Sequence, residues 1–421
     1  MSRRPVWQTI FERFDPEHPV EVPAWRAERP LSPFEDITQS LDEPFGTLRV
    51  LLTGTVGTGK STELLRIAEA RAGKEFVVFL DLERHFEQVV GDVAALQQVS
   101  AWEVCFVAGI ALLRAAEDRL GFVFPEIHLR ELEQAWLKLA RSSEAVTQEA
   151  PAIDVGKLAR VMVLMASKAA PAVIGGPAGA AVGAGLESIS AARNADRWAL
   201  PLGLKKKTLP DQDAEVQTLL RCVNVLIGLV QQRAGKVLLV LDGLDRLESF
   251  ERARELFISS QMIQQLACHL VVCGPLVLEQ DGALNPIRAF SRILPLVNLP
   301  VLSHEDPRLP GPGLSFFQEL FARRVEDLRA PDLVSTTFLN RLAYYSGGRA
   351  REFVVFINRL AQLAWRADVS SATAEMIDKV LDERRRLRET GLHRGHIRVL
   401  EAVLNDPDYR LPQDELVRKL L

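Results

Sequence analysis

A glycine-rich segment near the start of the chain has the residue types and spacing of a phosphate-binding loop. It reads Gly54-x-x-x-x-Gly59-Lys60-Ser61. Glycine lets the backbone turn its N–H groups inward around a β-phosphate, where a Cβ would intrude. A lysine in this place reaches the β- and γ-phosphate oxygens, and a serine hydroxyl binds Mg²⁺. The segment predicts a site for a nucleoside triphosphate and Mg²⁺, with the phosphate-contacting residues Gly54, Thr55, Gly57, Thr58, Gly59, Lys60, Ser61 and Thr62.

The residues on either side predict the elements that hold this loop. Residues 50–53 are apolar or β-branched and predict a buried strand, and residues 63–68 predict a helix. The N-terminus of that helix adds partial positive charge beside the phosphates. The alternative is a glycine-rich turn that joins strand and helix without a ligand. We favour the phosphate-binding loop because the strand, the spacing, the Lys-Ser pair and the helix all agree.

A second feature with chemical potential is an acidic residue at the end of an apolar run. Residues 236–241 predict a buried strand, which is followed by Asp242-Gly-Leu-Asp245. A carboxylate at the tip of a buried strand is costly unless its charge has a partner. Mg²⁺ held between Asp242 and Ser61 supplies that partner, so the two motifs together are more specific than either alone.

The apolar runs predict an α/β fold. Helical segments, including residues 215–232 and 251–266, separate five candidate strands. This alternation is typical of a parallel sheet with helices on both faces. Pro295 lies in the last run, which we therefore place near the sheet edge. The predicted strands are residues 50–53, 75–81, 236–241, 269–273 and 293–298.

Composition narrows the class of protein. The chain has 421 residues, 48% of them hydrophobic, which predicts about three domains with real cores. The net charge of −4 gives no overall basic field, so DNA contact requires a local patch. The four cysteines form no C-x-x-C pair, the histidines have no clustered metal ligands, and the N-terminus lacks the apolar segment of a signal peptide. We expect a cytoplasmic location.

Changes in composition predict the domain boundaries. We expect an ordered N-terminal leader packed on the core, because residues 1–46 contain scattered aromatic residues among proline and charge. The following predicted segments are a P-loop core at 47–303, an all-helical lid at 304–380 and a helix-turn-helix-like segment at 381–421. That last segment stops inside its second helix, at 411–420, which leaves a truncated winged domain or a use other than DNA binding.

The predicted core contains an unusual insert at 88–210. Residues 89–120 and 126–143 have helical spacing. Further on, Gly175-x-x-x-Gly179-x-x-x-Gly183 allows close helix packing of the kind found in membranes. Lys168, Pro171 and the many small residues count against a membrane-spanning helix. We favour a flexible or helix-packing insert, with membrane contact through 161–190 as the alternative.

The predicted lid and the segment after it carry clustered arginines. Ser346-Gly-Gly-Arg-Ala-Arg351 opens a helix, and arginine in a first turn opposes the helix dipole. An anion nearby explains that placement, and an exposed basic turn is the alternative. A charged helix at 372–389 ends in the basic run 384–388, which begins the basic segment 384–398 that, with the terminal helices, is the candidate local patch for DNA.

With these motifs, the chain resembles AAA+-type P-loop ATPases, and among them the STAND signalling ATPases and origin-recognition-type initiators. The resemblance covers residues 20–85 and 211–400. It implies that Asp242 holds Mg²⁺ through water. The water-activating glutamate of AAA+ enzymes follows that residue, and here Gly243 stands there. STAND proteins carry an acidic residue three positions on, which makes Asp245 the candidate base and implies slow hydrolysis.

The resemblance also implies three auxiliary residues. Cys273 ends the fourth predicted strand, where AAA+ proteins have a polar sensor. Arg292, with Arg288 less favoured, stands where an arginine finger acts on a neighbouring subunit, although a salt bridge is an equal alternative. Arg351 resembles the second sensor, which contacts the γ-phosphate and couples the lid to nucleotide state.

Three functional hypotheses follow from these residues and the resemblance. We favour a slowly hydrolysing ATP-binding switch in bacterial signalling or anti-phage defence, working as a homo-oligomer or through a partner effector. The second is an initiator-like DNA-binding ATPase that uses the basic segment 384–398. The third is an ATP-gated effector that contacts membrane through 161–190.

Overall fold

The computed structural model describes most of the chain outside the central insert. The described residues are 3–142 except 18 and 21, 155–161, 211–280 except 212, and 290–407 except 304, 307, 329 and 391, together with 412 and 417. They form two compact units. Unit 1 comprises Met1–Ser32, Gly54–Thr62 and Leu296–Leu421, and unit 2 comprises Pro33–Thr53 and Glu63–Pro295.

The sheet of unit 2 confirms the predicted five parallel strands. Its order is β2-β3-β4-β1-β5. β5 pairs with β1, with Arg292 opposite Val50, so Pro295 lies on an edge strand as predicted. The strands are β1 Arg49–Gly54, β2 Phe76–Asp81, β3 Val237–Asp242, β4 His269–Pro275 and β5 Arg292–Pro295.

Helices surround the sheet in unit 2 and form most of unit 1. In chain order they are α1 Arg4–Arg13, α2 Phe34–Asp42, α3 Lys60–Arg71, α4 Leu82–His85, α5 Ala101–Leu120, α6 Glu126–Ser142, α7 Val155–Val161, α8 Ala214–Ala234, α9 Phe250–Arg254, α10 Gly313–Val325, α11 Thr336–Tyr345, α12 Ala350–Ala367, α13 Ala374–Glu389 and α14 Arg394–Asn405. This is the α/β fold that the sequence predicts, with helices on a parallel sheet.

The helix predicted over 89–120 is wrong in its first part. Residues 93–98 form a 3₁₀ helix, and α5 begins at Ala101. The reason is a capping box at the start of α5, in which the Ser100 backbone N–H donates to the Glu103 carboxylate. α5 is buried along most of its length and packs on α8, where a Cβ at Gly109 would lie 3.2 Å from Val223 Cγ2. The apolar spacing before Ser100 therefore reflects burial and not one continuous helix.

The continuous helix predicted over 251–266 is also wrong. α9 passes into a π-helical turn at Glu255–Ser259, the backbone becomes extended at Ser260, and a short 3₁₀ turn follows. Asp211 explains the break, because its carboxylate accepts from the Ser260 hydroxyl at 2.7 Å and from the Gln261 N–H at 2.6 Å. Those hydrogen bonds replace helical ones, and nothing near residue 260 in the sequence predicts them.

Unit 1 has its own core, to which the start of the chain contributes. Trp7 and Ile10 of α1, and Phe14 just after it, are fully buried among the apolar residues of α10–α13. The Trp7 indole N–H donates to the Val369 carbonyl at 2.9 Å. The predicted leader therefore divides, with its first part in unit 1 and the part containing α2 in unit 2.

Two predicted segments lie outside the described residues. Of 161–190 only Val161 is described, and of 411–420 only residues 412 and 417 are. Within the part of the chain that the structure describes, no helix combines the length and apolar character required to cross a bilayer.

Candidate nucleotide-binding site

The loop between β1 and α3 has a backbone that only glycine adopts readily. Gly54, Gly57 and Gly59 have positive φ angles of 153°, 91° and 106°. A Cβ at Gly54 would lie 2.6 Å from the Leu296 carbonyl oxygen, and one at Gly57 would lie 2.9 Å from Arg351 Cβ. Both contacts are closer than real Cβ atoms make, so conformation and space each require glycine here.

Lys60 directs its charge into this loop. Its side chain is buried, at 3% exposure, and Nζ donates to the carbonyls of Gly54 and Thr55 at 2.8 Å each. The Thr58 hydroxyl donates to the same Thr55 carbonyl at 3.0 Å. The lysine and the loop backbone therefore form one local hydrogen-bonded structure within unit 1, at the start of α3.

The structure brings Arg351 to this loop. Its backbone N–H, in the first turn of α12, donates to the Gly57 carbonyl at 3.0 Å. Gly348, just before α12, is closely packed as well. Gly348 has a φ of 77°, and its carbonyl accepts from the Leu299 N–H at 3.0 Å. The first turn of α12 is thus held against the loop by the backbone.

Two residues that contact the loop were not identified from the sequence. Arg29 is buried, and its guanidinium donates to the Thr58 carbonyl at 2.7 Å and to the Val297 carbonyl. The Thr55 hydroxyl donates to Asn298 Oδ1 at 3.2 Å. Both new residues lie in irregular segments, where no periodicity or motif distinguishes them from neighbours such as Arg26.

In unit 2, Asp242 and Asp245 lie at the carboxyl edge of the sheet, the edge at which β1 also ends. Asp242 Oδ1 accepts from the Gly243 N–H at 2.9 Å. The Cys273 thiol, on β4, donates to Asp242 Oδ1 at 3.2 Å and to Asp245 Oδ1 at 3.5 Å. The three candidate residues named from three separate positions therefore form one cluster.

The packing around Gly243 explains why this chain has no glutamate at the position where AAA+ enzymes carry one. Its φ is 89°, and a Cβ there would lie 2.6 Å from the Glu83 backbone nitrogen. Glu83 belongs to α4, which packs on the turn after β3, and its carboxylate pairs with Arg246 at 3.0 Å. A glutamate does not fit at 243 while α4 holds this position, so glycine is a requirement of the local packing.

Arg292 is the first residue of β5 and lies at the amino end of the sheet edge, in register with Val50. Its guanidinium pairs with Asp36 of α2, and that hydrogen bond raises the pKa of Arg292 above its ordinary value. The salt bridge considered as an alternative is thus present. Whether Arg292 also serves a neighbouring subunit stays a prediction.

The basic run after the lid is largely neutralised. Glu352 accepts from Arg384 at 2.8 and 2.6 Å and from Arg388. Burial acts to raise the pKa of Glu352, but the two arginines outweigh it and lower that pKa. Arg385 and Arg386 pair with Asp382, each at 2.7 Å. The ion pairs of Glu352 join α13 to the first turn of α12, and those of Asp382 lie within α13.

The strand order and the loop in its strand–loop–helix setting decide the fold. It is that of a P-loop NTPase. Neither a protein-family model nor a curated protein matches the sequence. Among solved structures, the chain is similar to Drosophila ORC bound to DNA, with 14% identity over 94% of this chain and 71% of that one and a TM-score of 0.39.

Two archaeal structures are similar to the same degree. The Aeropyrum pernix Orc1 protein in complex with DNA has 14% identity over 90% of this chain and 73% of that one, with a TM-score of 0.41. Cdc6p from Pyrobaculum aerophilum has 14% identity over 88% and 70%, with a TM-score of 0.39. ORC and Orc1 are named for origin recognition, the class of protein that the sequence motifs resemble. Similarity at this level assigns no residue roles.

The donors present fit a magnesium ion in part. Ser61 offers a hydroxyl and Asp242 a carboxylate, and Mg²⁺ prefers such oxygen ligands. The Cys273 thiol beside Asp242 is a donor that Mg²⁺ does not use.

Proposed function

We propose that the chain is an ATP-binding molecular switch of the STAND or AAA+ type that hydrolyses ATP slowly. The observation that carries this proposal is the hydrogen bond from the Arg351 N–H to the Gly57 carbonyl, at 3.0 Å. It links the phosphate-binding loop to the first turn of α12. A change in the loop on exchange of ATP for ADP therefore has a direct route to α12.

The loop residues bind and orient the phosphates in this proposal. The glycines expose backbone N–H groups, and Lys60 exchanges its contacts with the Gly54 and Thr55 carbonyls for phosphate oxygens. Mg²⁺ bound with the phosphates would neutralise charge that develops on them. The Arg351 side chain serves as the sensor of the γ-phosphate.

Slow hydrolysis follows from the residues around the candidate base. Asp245 would accept the proton of the attacking water, because position 243 has no side chain. Asp245 also accepts a hydrogen bond from the Cys273 thiol, at 3.5 Å. That hydrogen bond occupies an oxygen of the candidate base, which supports a low rate.

A finger function for Arg292 requires a second copy of the chain. Arg292 stands at the amino end of β5, whereas the glycine loop follows the carboxyl end of β1. Acting on a neighbour also requires exchange of its ion pair with Asp36. We therefore propose a homo-oligomer in which turnover depends on assembly, with signalling or anti-phage defence as its setting.

The two alternatives receive less support. DNA phosphates would have to compete with Glu352 and Asp382 for the arginines at 384–388. Membrane contact depends on 161–190, which lies outside the described residues apart from Val161. Duplex DNA at low salt and liposome flotation with and without ATP test these alternatives directly.

Calorimetric titration with Mg·ATP tests the proposal. Lys60→Ala is expected to abolish ATP binding, because the loop loses its charge for the phosphates. Lys74→Ala is the matched control, since Lys74 also lies near α3 but is 60% exposed and pairs with Asp42. Tight ATP binding by Lys60→Ala, or none by the unaltered protein, contradicts the proposal.

A further inference from the structure

The cluster of Asp242, Asp245 and Cys273 contains a thiol that magnesium binding does not explain. One ligand atom from each residue lies within 4.8 Å of the other two. Asp242 and Cys273 are buried, and Asp245 is partly exposed. The cluster combines two carboxylates with one thiol at the carboxyl edge of the sheet.

Two of the distances match the sulfur–oxygen edges of a tetrahedral metal site. Zinc binds thiolate sulfur at about 2.3 Å and carboxylate oxygen at about 2.0 Å, which separates sulfur from oxygen by about 3.5 Å in a tetrahedron. The Cys273 sulfur lies 3.2 Å from Asp242 Oδ1 and 3.5 Å from Asp245 Oδ1. The two sulfur–oxygen distances are thus within a few tenths of an ångström of those in a zinc site.

The surrounding backbone holds the ligands in place. The Gly243 N–H fixes the Asp242 carboxylate at 2.9 Å. The turn that carries Asp245 cannot move far, because the backbone of α4 fills the space beside Gly243. Cys273 lies within β4, which is paired to β3 up to Leu241 and Val272. Because strands and a packed turn carry all three ligands, little ordering is required on binding.

We propose that Asp242, Asp245 and Cys273 bind a thiophilic divalent cation, and that Zn²⁺ is the metal. Thiolate selects zinc over magnesium, and a three-ligand site with one position left for water is a common zinc arrangement. On binding, the Cys273 S–H bond breaks, the sulfur–zinc bond forms and the proton passes to the buffer. Two carboxylates and one thiolate then surround the divalent charge.

This site gives the cluster a regulatory consequence. If Asp242 also serves Mg²⁺, the two cations compete for it, and Zn²⁺ slows ATP turnover. That consequence rests on the proposed function, but zinc binding itself does not. The binding experiments below contain no nucleotide, so their failure and the failure of the Lys60 test are separate results.

Cobalt is the spectroscopic probe for this site. We expect one Co²⁺ to bind the full chain with thiolate-to-cobalt absorption in the near ultraviolet, and Zn²⁺ to remove that band by displacement. C273S is expected to lack the band, whereas C222S keeps it, because Cys222 lies partly exposed on α8. A band that persists in C273S, or cobalt bound by oxygen ligands alone, overturns the proposal.

A second variant keeps the test decisive if C273S does not fold. D245N removes a ligand at a partly exposed position, and we expect its Co²⁺ affinity to fall by about tenfold or more, the scale of loss at metal sites. Zinc titration calorimetry in two buffers should show about one proton released per zinc. Unchanged cobalt affinity in D245N, or no proton release, overturns the three-ligand site.

Discussion

The backbone N–H of Arg351 and the carbonyl of Gly57 are joined by a hydrogen bond of 3.0 Å, and a Cβ at Gly57 would lie 2.9 Å from Arg351 Cβ. This contact connects the candidate sensor helix with the phosphate-binding loop through the main chain. A side-chain substitution at Arg351 leaves the hydrogen bond itself in place. A substitution at Gly57 does not, and that difference can be measured.

Gly57→Ala is expected to destabilise the loop and weaken ATP binding. An alanine at a φ of 91° costs about 1–2 kcal/mol, and its Cβ would meet Arg351 Cβ at 2.9 Å. Urea unfolding and Mg·ATP calorimetry measure the two effects. Gly73→Ala is the control, since nothing lies within 4 Å of a Cβ at Gly73. Equal behaviour of the two variants would contradict the tight contact.

Arg29→Ala is expected to lower both stability and ATP affinity. The guanidinium donates to the Thr58 and Val297 carbonyls. Leaving these carbonyls without their charged hydrogen bonds lowers the free energy of unfolding by about 1–3 kcal/mol. The control is Arg26→Ala, because Arg26 is similarly buried and donates to the Val20 carbonyl. ATP affinity that falls equally in both variants would mean that Arg29 has no special effect on the loop.

Gly243→Glu is expected to fail as a way of restoring fast hydrolysis. The new Cβ would meet the Glu83 nitrogen at 2.6 Å, in a backbone conformation that disfavours side chains. Thermal unfolding should therefore show a loss of stability, and phosphate release should not increase. Asp245→Asn is the companion variant, expected to retain ATP binding and lose turnover. A folded, faster Gly243→Glu protein would refute the steric explanation.

His85 is expected to make stability depend on pH in the acid range. Both ring nitrogens are buried without a hydrogen-bond partner among the described residues, and burial lowers the pKa of His85 to about 4. The unfolded chain, with a histidine pKa near 6.5, binds the proton more readily, so stability falls as pH drops from about 6.5 to about 4. The full effect is about 3 kcal/mol.

Urea unfolding across this pH range measures the effect. His85→Leu should remove that part of the pH dependence, because leucine cannot take up the proton. His128→Ala is the control, since His128 lies on the surface of α6 beside Glu131. If His85→Leu and the unaltered protein lose stability in parallel on acidification, His85 is not buried in its neutral form.

The sequence predicted the parts of the site that local chemistry determines. The glycine loop and the strand that ends at Asp242 are encoded by short runs with strong constraints on backbone and burial. The same is true of Pro295, whose missing N–H suits an edge strand. Each of these features is decided within a few residues, so one sequence is enough to find it.

The remainder depends on partners far along the chain. Asp211 breaks the helix predicted over 251–266 from about fifty residues away in sequence, through its contacts with Ser260 and Gln261. Arg29 reaches Thr58 and Val297 from an irregular leader. Cys273 on β4 contacts Asp242 and Asp245, which lie at and just after the end of β3. Side-chain hydrogen bonds of this kind have no periodicity, so pattern analysis does not detect them.

Unit 1 is assembled from the beginning, the glycine loop and the last third of the chain. During biosynthesis, residues 54–62 leave the ribosome long before Arg351 exists to contact them. The Val369 carbonyl, which accepts the hydrogen bond from the Trp7 indole, is likewise synthesised long after Trp7. The phosphate-binding loop therefore obtains its full set of partners only near the completion of translation, and a nascent chain acquires competence for nucleotide late.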